Sequence, residues 1–439
     1  MNVNDFILNV ISEKCDIDIS KIRNDMTMDG DLFLDYPEFA DIWFEIEKRL
    51  GIKLLMEEIN VSIKCNVGEL CEKVSQYMKE YDSSAKCLPI CFPPPMYFSL
   101  HVAIALSMIL ADNENKDWFY NHFVQVSFYN KYAEIEGSHK YCIYPAMEMR
   151  PGQIASGKFI KETHVNLDIF NLKEDTLYDN IKLFIENGYY ISCVADVSKI
   201  KGTRYEGESF FYHGLMIYGY DNKTKSLDIV DFDDRNAINR IKISMEDFIA
   251  AFTSPKLLET FGEEVNNSII LFRRKKSEFT FDLRVVMETL RDYLDSYNTG
   301  RRYALLLPSD EESTWGIETY GKIIEYIEQR KSNWDIRMFH AFYEHKKLMA
   351  ERFRYIRKKG IYNTEKKVLC GLEENKKLAE IIKMMVIKFN LTGQGELVPQ
   401  VIMRLKEIKN REILLYEKIF SGWTKEDGYA DKGRNDGAV

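Results

Sequence analysis

"SFFYHGLMIYGYDNKTKSLDIVDFDDR", residues 209–235, decides how the middle of this 439-residue chain folds. Two apolar runs flank the turn-rich "DNKTKS", a pattern that predicts an antiparallel β-hairpin. If Tyr220 opposes Ser226, then His213 stands opposite Asp233 and Leu215 opposite Asp231. Side chains alternate along a strand, so these odd-numbered residues share one face. Directly opposed Cβ atoms lie about 5 Å apart and diagonal ones about 7–8 Å. Either aspartate therefore reaches the His213 ring, provided the register does not slip by one. A histidine oriented by a carboxylate is suited to activating a nucleophile or moving a proton near neutral pH. The plainer alternative is a half-buried strand histidine that is merely hydrogen-bonded.

Working outward, "NIKLFIENGYYISCVADV" (180–197) predicts a helix, a stop at Gly188 and a strand carrying Tyr189, Ile191, Cys193 and Ala195. "MYFSLHVAIALSMILAD" (96–112) predicts a buried helix. Beyond about residue 276 the texture is helical to near 420, with amphipathic segments that are mostly basic on their polar faces and so expected to be solvated. The expectation is a multidomain α+β protein: a small helical bundle over 1–81, a proline-rich linker over 82–95, an α+β domain over 96–275, a helical domain over 276–420 and a disordered tail over 421–439.

Composition narrows the function classes. The chain is 45% hydrophobic, enough for well-packed cores. It has no apolar run of the roughly 18 residues a membrane span needs, so no membrane partner is expected. The start lacks a secretory pattern, and the eight cysteines form no CxxC or paired framework, so a reducing cytoplasm is the expected compartment. The net charge of −9 is concentrated: residues 1–80 hold 17 acidic against 9 basic side chains, a net −8. That segment repels nucleic acid and suits a basic protein partner.

Within it, "DLFLDYPEFADIWFEIEKRLGIKL" (31–54) places Asp35 as N-cap and Pro37 in the first turn of a helix. Phe39, Ile42, Phe44, Ile46 and Leu50 are its apolar positions, and Gly51 is its stop. Helices are also predicted over 5–15 and from Val67 to Tyr81. With "ILNVISEKCDIDISKI", "DGDLFLD" and "FEIEKRLGIKL", the first 80 or so residues resemble an acyl or peptidyl carrier protein. That family attaches phosphopantetheine to a serine, and this chain has Tyr36 at that place. The resemblance therefore implies no covalently bound arm, and a domain that recognises or docks.

The segment from about 90 to 255 resembles the papain-like fold of bacteriocin-processing C39 peptidases and, more closely, acyltransferases of the butirosin biosynthesis protein H type. The match lies in "HGLMIYGYD" (213–221) and "LDIVDFDD" (227–234). It implies His213 as general base and Asp231 as its orienting partner. The family's nucleophilic cysteine opens an early helix, where this chain offers Ser99, Leu100 or His101. Cys91 lies upstream of three prolines, and Cys142 and Cys193 are outside candidates, Cys193 reading as a small hydrophobe. Ser99 would profit from a helix N-terminus, although serine there is commonly only a cap. "HAFYEHKK" sets His340 and Glu344 four apart but lacks a zinc-binding frame.

Both resemblances belong to assembly-line biosynthesis. They imply acyl or aminoacyl transfer, or amide formation, on a carrier-bound thioester, with a carrier protein or synthetase as partner. His213 would serve as base, Asp231 or Asp233 would orient it, and backbone N–H groups near Ser99 would hold the oxyanion. Without a nucleophile, His213 would deprotonate an amine attacking the thioester directly. The alternative is a pseudoenzyme, a non-catalytic adaptor that docks assembly-line proteins.

Overall fold

The computed structural model describes residues 3–50, 56, 61–80, 85–130, 141–144, 158–166, 174–235, 237–257, 259–260, 268–303, 312–330 and 332–427. The expected stops at Gly51 and Tyr81, and the tail from 428 onward, lie outside these residues. In chain order the elements are α1 (Val3–Cys15), α2 (Tyr36–Leu50), α3 (Val67–Glu80), β1 (Ala85–Cys87), α4 (Leu100–Ile109), α5 (Lys116–Asn121), β2 (Gln125–Tyr129), β3 (Tyr141–Tyr144) and β4 (Ile160–Asn166). There follow α6 (Glu174–Glu186), β5 (Tyr189–Asp196), β6 (Tyr212–Asp221), β7 (Ser226–Phe232), β8 (Ile238–Ser244), α7 (Met245–Phe252) and β9 (Ser268–Arg274). The last are α8 (Leu283–Leu294), β10 (Ser313–Trp315), α9 (Thr319–Gln329), α10 (Ile336–Lys358), α11 (Lys366–Thr392) and α12 (Leu397–Asp427). The fold class is mixed α+β, with N-terminal helices, antiparallel sheets and a helical C-terminal region. Helix α12 runs seven residues past the expected start of the tail at 421.

The chain forms two compact units, one of Met1–Pro95, Ala103–Asn113 and Ser156–Ser277, the other of Met96–Val102, Glu114–Ala155 and Glu278–Val439. Residues 96–102 and 114–155, expected with the α+β domain, thus group with the helical one. In the first unit, α1, α2 and α3 enclose a core of Phe6, Ile7, Val10, Ile11, Phe39, Ile42, Trp43, Ile46, Val67, Leu70 and Val74. Both later helices open with reciprocal capping boxes. Asp35 Oδ1 accepts from Glu38 N at 2.9 Å while Asp35 N donates to Glu38 at 3.0 Å. Asn66 and Glu69 repeat the arrangement. Trp43, rather than the expected Phe44, fills the core, because position 43 falls beside 39 and 46 on the helical face.

The main sheet runs β4-β9-β5-β6-β7-β8, and β1 pairs with β6 beyond the end of β5. The segment expected as a linker is therefore partly built into the sheet. Leu88 N donates to Tyr218 O at 2.7 Å, and Tyr190 OH donates to Pro89 O. Gly188 has φ +80°, the left-handed turn that ends α6 and starts β5 as expected. The bundle joins the sheet through a buried ion pair between Glu47 of α2 and Arg240 of β8, with the Phe92 ring 5.4 Å from the guanidinium.

In the second unit β2 lies between β3 and β10. The aromatic run at 117–129 is core there, with Trp118, Phe119, Phe123 and Phe128 buried. Helix α10 departs from the solvated basic face expected of it, since Lys346, His345 and Arg352 are all buried. Lys346 Nζ donates to Glu412 Oε2 at 3.0 Å and to Tyr293 OH at 3.1 Å. The phenols of Tyr293, Tyr320 and Tyr416 donate to the same carboxylate at 2.8, 2.7 and 2.9 Å. No helix among the described residues is long and apolar enough to cross a membrane.

Candidate functional site

The β6–β7 hairpin forms, with a tighter turn than expected: Asp221 opposes Ser226, and Tyr220 opposes Leu227. The register at the tip is thus one residue off the expected one. A bulge between Ile217 and Gly219 takes up the extra residue, after which Ile217 faces Ile229 and Met216 faces Val230. The bulge restores the expected register at the His213 end.

His213 Nδ1 lies 3.0 Å from Asp231 Oδ1. The aspartate is 2% exposed, and the same oxygen accepts from Phe232 N at 2.7 Å. Its Oδ2 is buried and has no hydrogen-bond partner among the described residues. A carboxylate so placed accepts the Nδ1 proton, which leaves the lone pair on Nε2. It also supplies an unbalanced negative charge beside the ring to stabilise an imidazolium. Nε2 has no hydrogen-bond partner among the described residues, and the His213 side chain is 26% exposed. The Phe211 and Phe232 rings lie 6.2 and 6.0 Å from the imidazole.

Of the two candidate aspartates, only Asp231 touches the histidine. Asp233 turns its carboxylate to Arg235, Asn239 and the backbone of Arg235 and Ala237, and so organises the turn into β8. Burial makes its ionisation harder, but these bonds outweigh that and hold its pKa below the ordinary value.

Cys193 opposes Leu215 on the strand beside His213, but burial pushes its pKa up to about 12 and keeps it protonated. Cys91 is half-buried, its backbone N–H bonded to Ser107 O at 2.7 Å. Cys142 is half-buried on β3, paired with Ser127.

Ser99 lies in the second unit, one residue before α4. The backbone N–H groups of Tyr97 and Phe98 donate to the Glu344 carboxylate at 2.8 and 2.9 Å. These two donors at the helix opening, expected to be open for an oxyanion, are therefore already taken. His340 Nε2 is 3.1 Å from the same carboxylate, and its ring packs 4.5 Å from that of Tyr97. The spacing of His340 and Glu344 thus makes a structural clamp, which was visible in the sequence only as an i, i+4 pair. No protein-family model matches the chain, and no curated protein matches it.

Proposed function

We propose that the chain moves an acyl or aminoacyl group from a carrier-bound thioester to an amine, with His213 as base and Asp231 as its orienting partner. The observation that carries this reading is the 3.0 Å contact at Nδ1, which leaves Nε2 unengaged on a partly exposed ring. The amine nitrogen attacks the thioester carbon, Nε2 takes the proton the nitrogen sheds, and the C–S bond breaks. The imidazolium, stabilised by Asp231, returns that proton to the departing thiolate. No covalent enzyme intermediate is needed, which accords with the protonated Cys193. General-base catalysis of this kind contributes about 10²–10⁴-fold. The His213→Ala protein should lose that much in amide formation from acyl-pantetheine thioesters, followed by mass spectrometry. Equal rates for the two proteins would sink the reading.

A second reading, the adaptor, is favoured by the loop before α2 together with the first turns of that helix. Phe33 is 85% and Tyr36 64% exposed, among the exposed acids Asp29, Asp31, Asp35, Glu38 and Asp41. Phe33 also holds φ +53°, a left-handed conformation uncommon for a bulky side chain. Exposed aromatics ringed by carboxylates suit an apolar pocket with a basic rim on a carrier protein or synthetase. On this reading a Phe33→Ser, Tyr36→Ser double variant abolishes capture of such a partner and His213→Ala does not. Retained capture by the double variant would exclude this surface.

A further inference from the structure

We infer that the acyl group handled at His213 is aromatic and that Phe211, Phe232 and Tyr205 select it; this rests on the reading of His213 as an acyl-transfer base. Phe211 and Phe232 flank the imidazole on neighbouring strand ends. The Tyr205 ring stacks on Phe211 at 3.5 Å between centroids and 13° between planes. The Arg204 guanidinium lies 5.1 Å from the Tyr205 ring. All three residues are half-buried; Tyr205, with Phe211 stacked on it and Arg204 over its ring, holds Phe211 in place, and Phe211 and Phe232 are the rings beside the His213 base.

The segment carrying these rings is held by polar bonds rather than by packing alone. Asp196, fully buried, accepts from Phe211 N at 3.2 Å and from Ser254 Oγ at 2.9 Å. Val197 N donates to Phe211 O at 2.9 Å. Thr203 donates to the carbonyls of Val197 and Ile200, and Arg204 N donates to Phe232 O at 3.0 Å. The backbone beneath Tyr205 and Phe211 is thus tied to the ends of β5 and β7. Rings fixed before binding lose little freedom when a flat partner arrives. Aromatic pairs in stacked or edge-on contact attract beyond the area they bury, which gives a planar acyl group an advantage over an aliphatic one of similar size. Arg204, lying over the Tyr205 ring, adds positive charge to the stack.

The test is the ratio of kcat/KM for benzoyl- and butyryl-pantetheine with a common amine acceptor, measured for the wild-type protein, Phe211→Leu and Tyr205→Leu. The wild type should favour benzoyl by about tenfold, and each leucine variant, apolar but without a π face, should bring the ratio toward one. Circular dichroism of each variant checks that it is folded, and His213→Ala is measured alongside. A wild-type ratio near one, with turnover that depends on His213, overturns the aromatic preference and leaves the acyl-transfer reading standing. So does a wild-type preference that both leucine variants retain. No turnover of either thioester, or turnover unchanged in His213→Ala, overturns both.

Discussion

Replacing Arg240 with methionine should cost about 3–5 kcal/mol of stability, because it takes from the buried Glu47 the arginine it pairs with. The two side chains are 16% and 7% exposed, and they join α2 of the bundle to β8 of the sheet. The surroundings raise the stakes. Tyr218, fully buried, feels Asp228, Arg240, Cys87 and Glu47, and burial first, then the Asp228 charge, drives its phenol well above its ordinary value. Cys87 Sγ lies 3.2 Å from Asp228 Oδ2, and a Cβ at Gly219 would fall 2.7 Å from that sulfur. Glu47→Met should cost a similar amount. The double variant Arg240→Met, Glu47→Met should recover most of the loss, because an apolar pair avoids the desolvation that both ions incur. Urea unfolding of the three proteins checks this. Single variants indistinguishable from wild type would mean that the ion pair does not hold the bundle.

The second large effect lies in the other unit. Glu412→Ala should destabilise it by about 3–5 kcal/mol, since Lys346, fully buried, then loses its carboxylate counter-charge. Burial lowers the Lys346 pKa, and Glu412 opposes that shift without cancelling it. His345 is also held well below its ordinary value, by burial first and then by the Lys346 charge. It is therefore neutral: Nε2 donates to Val124 O at 2.8 Å, and Nδ1 accepts from the lysine at 3.1 Å. The phenols of Tyr293, Tyr320 and Tyr416 are raised well above ordinary values, by burial first and then by Glu412. The sign for alkaline pH follows. A phenol with a raised folded pKa contributes stability that is complete below about pH 10 and lost as pH climbs toward the folded value. A lysine with a lowered pKa acts oppositely, its contribution rising up to about pH 10.5 and constant above. Above about pH 10.5 only the phenols still change, so stability should fall. Buried tyrosinate absorbance should then grow in step with unfolding. Tyrosinate that formed fully before any loss of structure would contradict the network.

The hairpin and its histidine–aspartate pair were legible because strand side chains repeat every two residues, which survives in a single sequence. The turn was mispaired by one residue, and the result held only because the Tyr218 bulge compensates. Nothing in "MIYGY" announces a bulge on that side of Gly219. The choice between Asp231 and Asp233 was also out of reach, since it depends on Asn239 and Arg235 claiming the second carboxylate. In the bundle, Asp35 and Glu38 are spaced as a capping box, and the structure builds one. The expected linker failed as a linker because proline and serine mark a break in regular structure, while the pairing of Ala85–Cys87 with β6 depends on partners some 130 residues away. Lys346 and Glu412 stayed hidden for the same reason. Each has the composition of a solvated helix face, and only the tertiary fold brings them together, 66 positions apart.

The most direct test of the central claim needs no substrate. The chain has seven histidines, so selective ¹⁵N labelling gives few ring signals, and the His213→Ala spectrum assigns the one in question. With Asp231 accepting at Nδ1, neutral His213 should carry its proton on Nδ1 and show an unprotonated Nε2, and Asp231→Ala, which removes the acceptor, should weaken that preference. A neutral His213 protonated at Nε2 in the wild-type protein would remove the base from the proposed mechanism.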